Sequence, residues 1–102
     1  MTTIVQDKYK EIAELCRRFR VKNLMVFGSA ASERFDPVAS DLDFLIEFEP
    51  MTPPEHAKSY FRLLAALQNL FNRKIDLVEK GAVRNPFFKN DIEATCEMIY
   101  AA

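Results

Sequence analysis

Apolar residues recur along this chain with two different periods, and those periods divide it into elements. Val5, Tyr9, Ile12, Cys16 and Phe19 return every three or four positions, while Gln6, Lys8, Lys10, Glu11, Glu14 and Arg18 fill the intervals. That spacing predicts an amphipathic helix over roughly 4–20, packed on a sheet. Val21 to Phe27 is dense in β-branched and large apolar residues and stops at Gly28, so it reads as a first strand. Ser29 to Arg34 suits a helical turn, Asp36-Pro37 marks a loop, and a second strand runs from Asp41 to Phe48, before Pro50. Thr52-Pro53-Pro54-Glu55 combines an N-cap threonine, prolines in the first turn and a glutamate three residues after the cap. It opens a helix to about residue 72 whose buried face is predicted to hold Ala57, Tyr60, Phe61, Leu64, Leu67 and Phe71. Lone His56, in its first turn, reads as an exposed or capping residue.

Lys74 to Glu79 predicts a third strand, Ile75-Asp76-Leu77-Val78, with one acid in an apolar run. Asn85-Pro86 starts a short helix to about Ala94. Cys96 to Tyr100 is either a last strand or a continuation of that helix, and its apolar residues suit the core, a sheet edge or a partner. The expected architecture is α/β (α+β): a small mixed sheet backed by the helices at 4–20 and 54–72, as one domain over 1–102. Strand order is not readable from the pattern.

The second strand carries the candidate chemistry. Successive side chains of a strand alternate sides, so Asp41 and Asp43 share one face while Leu42, Phe44 and Ile46 face the core. Neighbouring carboxylates repel and are costly to bury, so a cation, most simply a divalent metal, is expected between them. A third strand alongside would add Asp76. Gly28-Ser29, at a strand end, permits close backbone approach to a phosphate, with the Ser29 hydroxyl as a further ligand. Taken singly, each feature has a bland explanation: a tight turn for the glycine, solvated acids at a strand end for the aspartates.

Composition narrows the classes. At 49% hydrophobic and 28% charged residues the chain is globular. Fourteen basic and fifteen acidic side chains leave a formal charge of -1, against a nonspecific nucleic-acid binder. Lys8, Lys10, Arg17, Arg18, Arg20 and Lys22 form a local basic run that reads as a solvated face. Cys16 and Cys96 lack metal-ligand spacing, and Cys16 sits in an apolar stripe, as a reduced buried thiol would. The N-terminus has no signal-peptide run and no stretch reaches membrane-spanning length, so a cytoplasmic location is the default expectation. Two glycines exclude a Walker A loop and a dinucleotide fingerprint.

In sequence order, Gly28-Ser29 after a strand, Ser40-Asp41-Leu42-Asp43 opening a second and Asp76 in a third form a linked pattern. In it the chain resembles the minimal nucleotidyltransferases of the DNA polymerase β-like superfamily, and Asn85-Pro86-Phe87-Phe88 with the apolar end resembles that family's C-terminus. The resemblance implies two-metal nucleotidyl transfer. Asp41 and Asp43 would bind Mg²⁺ on the triphosphate of ATP, Asp76 would share the second ion and help activate the acceptor hydroxyl, and Gly28, Ser29 and Ser40 would contact the nucleotide. Two cations about 3.5–4 Å apart stabilise both the attacking oxygen and the departing pyrophosphate. One departure stands out: Ala31-Ser32-Glu33 replaces the Ala-Arg-Gly that often follows Gly-Ser, with Arg34 two positions on as a substitute.

Small stand-alone proteins of this kind resemble antitoxins paired with HEPN-type ribonuclease toxins. The implied activity is transfer of AMP from ATP to a tyrosine hydroxyl of the toxin. The alternative is a non-catalytic antitoxin that neutralises its partner by complex formation. Transfer to a small molecule ranks lower because little surface is left for a dedicated pocket. Acceptor residue, nucleotide preference and oligomeric state are not legible.

Overall fold

The computed structural model describes residues 3–28, 41–82 and 85–102. The predicted helical turn and loop between the first two strands, with Ser29, Ser40, Ala31-Ser32-Glu33 and Arg34, lie outside the described residues. Among the described residues four α-helices, α1 (Thr3–Gln6), α2 (Tyr9–Arg18), α3 (Pro53–Phe71) and α4 (Pro86–Thr95), accompany four strands, β1 (Val21–Phe27), β2 (Leu42–Phe48), β3 (Ile75–Glu79) and β4 (Glu97–Ala101). The strands form one mixed sheet in the order β3-β2-β1-β4. β1 is antiparallel to both β2 and β4, and β2 is parallel to β3. The parallel pair requires a crossover, which α3 supplies.

Alternation along β2 divides the core into two faces. Leu42, Phe44, Ile46 and Phe48 meet Leu63, Leu67 and Phe71 of α3, Ile12 and Cys16 of α2, and Val5 of α1. On the opposite face Leu45 and Phe27 pack against Ile92 of α4. The expected sheet is therefore backed as predicted, and α4 covers part of the face that carries the aspartates. Burial pushes the Cys16 thiol up to about 12, so it is an inert core residue.

Three local readings need correction. The predicted helix over 4–20 is two helices: the Lys8 amide bonds to Val5 O rather than one residue further back, and the ladder restarts with Ile12 N to Lys8 O. Apolar periodicity continues through such a turn and does not register it, although Tyr9 is left 40% exposed. The α3 face is rotated from the predicted one, burying Leu63 and leaving Phe61 65% exposed. Residues two apart stand about 200° apart around a helix, so Phe61 and Leu63 cannot share the sheet-facing stripe. His56 does not act as a cap: its imidazole pairs with the Glu79 carboxylate and lies 5.0 Å from the Phe48 ring, centroid to centroid. The predicted α3 start is found as read, with Thr52 Oγ1 accepting from Glu55 N at 3.4 Å.

Candidate active site

Register places the acids. In the parallel β2–β3 pair Leu42 stands beside Ile75 and Asp43 beside Asp76. Ile75 and Leu77 enter the core with Leu42 and Phe44, so Asp43 and Asp76 project together from the opposite face. The two carboxyl groups are within hydrogen-bonding reach. Burial first, then the hydrogen bond and charge of Asp76, then the charge of Asp41, push the Asp43 carboxyl up to about 6, with Lys74 opposing.

Asp41, one step before β2, is held differently. Its Oδ2 lies 3.8 Å from Lys74 Nζ. The structure thus brings Asp43 and Asp76 together and leaves Asp41 beside them on a lysine. Among the described residues no group of three His, Cys, Asp or Glu side chains is arranged to hold a metal ion.

Gly28 closes the site from β1. Phe27 pairs with Asp43 across the antiparallel β1–β2 ladder, which delivers the next residue to the Asp43 side chain. Gly28 has a φ of +66°, and a Cβ there would lie 2.7 Å from Asp43 Oδ2. Only glycine satisfies both the left-handed backbone and the close approach. A shallow depression lined by Phe27, Asp43, Asp76 and Val78 extends to Tyr60 and Leu64 of α3. Tyr60 donates its hydroxyl to Leu77 O, which ties α3 to the edge strand that carries Asp76.

Chemically, Asp43 and Asp76 are an adjacent carboxylate pair suited to binding a cation. A divalent ion would satisfy oxygens of both, and the donor set is the hard, all-oxygen kind that Mg²⁺ takes. A model for the nucleotidyltransferase domain family matches residues 9–98, nearly the whole chain and all of this site. The chain belongs to the nucleotidyltransferase domain family.

A relative from Methanocaldococcus jannaschii, "Putative protein adenylyltransferase MJ0128", is 39% identical over 93 residues, covering 91% of this chain and 87% of its own length. A structure described as "putative minimal nucleotidyltransferase" superposes with a TM-score of 0.69 at 28% identity, covering 90% of this chain and 89% of that one. A chain from a tri-AMPylated Shewanella oneidensis HEPN toxin in complex with an MNT antitoxin shares the fold, with a TM-score of 0.60 at 15% identity over 96% of this chain and 73% of that one. Among the described residues of this nucleotidyltransferase no helix is long and apolar enough to cross a membrane.

Two features of this candidate site escape a reading of the sequence. Lys74 is one lysine among many until β3 is placed beside β2. Gly28 reads as a phosphate-binding glycine, and the fold adds a second demand for glycine, because a Cβ there would meet the Asp43 carboxylate. The signal for the second was the offset between the end of β1 and the Asp-x-Asp pair, usable only once the β1–β2 register is known.

Proposed function

We propose that this nucleotidyltransferase is a Mg²⁺-dependent protein adenylyltransferase that moves AMP from ATP to a tyrosine hydroxyl of a HEPN-type partner toxin. The observation that carries the reading is the β2–β3 register, which sets Asp43 against Asp76. The M. jannaschii relative's name and the AMPylated toxin of the Shewanella complex support protein as the acceptor and AMP as the group. Asp41, Asp43 and Asp76 would hold the metal, two ions in the full site, and Gly28, Ser29 and Ser40 would contact the nucleotide. Bound Mg²⁺ supplies positive charge to the triphosphate and to the departing pyrophosphate.

The chain's own residues do the rest. Asp43 and Asp76 would act as ligands in their carboxylate forms, and Asp76, the more exposed of the two, lies on the side an acceptor can reach. The acceptor oxygen bonds to the α-phosphorus, the bond to the β-phosphate oxygen breaks, and the acceptor proton passes to a carboxylate. Gly28 keeps that approach free of a side chain, and Tyr60 holds the edge strand in place.

A second reading, neutralisation by binding alone, has one observation in its favour: Asp41 is engaged by Lys74 rather than joined to the other two acids. Neutralisation assays separate the two. With a co-expressed HEPN partner, Asp43→Asn should abolish protection of growth while the two proteins still co-purify. Full protection by that variant would favour the binding antitoxin.

A further inference from the structure

The end of α3 determines what stands beside Asp41. Asn72 caps the helix in the left-handed conformation, with φ 51° and ψ 45°, and turns the chain back toward the sheet. Parallel pairing begins there, before β3 proper, with Leu42 N donating to Lys74 O at 3.3 Å. Lys74 is therefore level with Asp41, as Asp76 is level with Asp43. Side chains two apart on a strand share a face, so the four charges form a small grid, an ion pair beside a carboxylate pair.

The Asp41 carboxylate, one step from the Asp43–Asp76 pair, is neutralised by the Lys74 ammonium, from a side chain that is 70% exposed and attached by a long, flexible stem. Such a cation can move. We propose that Lys74 is a resident counter-ion which holds Asp41 while the site is empty, releases it to the metal, and then turns to the polyphosphate of the bound nucleotide. The inference rests on the metal-dependent reading above and adds to it an order of exchange and a further nucleotide-contacting residue.

The two halves of the exchange have opposite signs in binding, which makes them measurable without turnover. Removing the ammonium frees Asp41, so Mn²⁺ alone should bind Lys74→Gln about two- to fivefold more tightly, the scale of an exposed ion pair. A Mg²⁺-loaded non-hydrolysable ATP analogue should bind the same variant more weakly, by about fivefold. Lys74→Arg keeps the charge and should stay within about twofold of the wild type in both.

Free Mn²⁺ counted by electron paramagnetic resonance, and the analogue followed by calorimetry, give both numbers on the full chain. The Mn²⁺ effect must also vanish in an Asp41→Asn background, because Lys74 then has no ligand to release. Unchanged or weaker Mn²⁺ binding by Lys74→Gln, or an effect that survives Asp41→Asn, overturns the inference while leaving the metal site standing. A wild-type protein that binds no Mn²⁺ overturns the metal-dependent reading itself and this inference with it.

Discussion

Replacing Asp43 by asparagine should make the protein more stable at neutral pH while removing its activity. In the fold the Asp43 carboxyl is raised from its ordinary 3.8 to about 6, by burial and by Asp76 and Asp41. The folded state therefore holds this proton more tightly than the unfolded chain. Below about pH 3.8 the group is neutral in both states and costs nothing. As pH rises through about 6 the folded protein must ionise a group that the unfolded chain ionised earlier, and stability is lost over that window. Two units correspond to about 3 kcal/mol. Asp43 is half-buried, so solvent screening reduces this to about 1 kcal/mol.

The amide of Asp43→Asn can donate to the Asp76 carboxylate without adding a second charge. At pH 7.5 the variant should gain about 1 kcal/mol, or roughly 4–8 °C in Tm for a domain of this size. The advantage should shrink toward zero near pH 4. Thermal unfolding of both proteins across that range, free of divalent ions, is the assay. A variant less stable than the wild type at pH 7.5, or a gain that does not depend on pH, would refute the account of Asp43. Saturating Mg²⁺ should then raise the Tm of the wild type and leave that of the variant nearly unmoved.

Other residues make smaller, independent claims. Gly28→Ala puts a methyl group 2.7 Å from Asp43 Oδ2 on a backbone at φ +66°, and should cost about 1–2 kcal/mol in urea unfolding; a neutral result would mean that residue 28 does not adopt this conformation. Thr52→Ala removes an N-cap whose bond is 3.4 Å long, so a loss of about 0.5 kcal/mol, at the low end for caps, is expected by the same measurement. Tyr60→Phe leaves the Leu77 carbonyl to water and should cost about 1 kcal/mol, with faster hydrogen exchange confined to β3; uniform acceleration across the sheet would contradict its local role.

What could be read from the chain follows from the range of the interactions involved. β1 comes out as predicted because its apolar run is local and ends at Gly28, and α3 starts as predicted because Thr52, Pro53, Pro54 and Glu55 carry the whole cap between them. The face of α3 was not legible, since Phe61 and Leu63 are both apolar and only the sheet decides between them. The role of His56 is not legible for a related reason: its partner, Glu79, arrives from β3. The pairing of Asp43 with Asp76 could be anticipated from chemistry, as a need for a third acid, but the diversion of Asp41 to Lys74 depends on where α3 releases the chain. The C-terminal segment resolves as β4, an edge strand on β1, with Ile99 and Tyr100 toward the core and Met98 53% exposed.

The most direct test of nucleotidyl transfer at this site is the intact mass of a purified HEPN-type partner after incubation with this protein, Mg²⁺ and ATP, run beside the Asp76→Asn variant. The account predicts a gain of one or more AMP units on a partner tyrosine with the wild type and none with the variant. An unmodified partner that is nevertheless silenced, or equal modification by the variant, would contradict it.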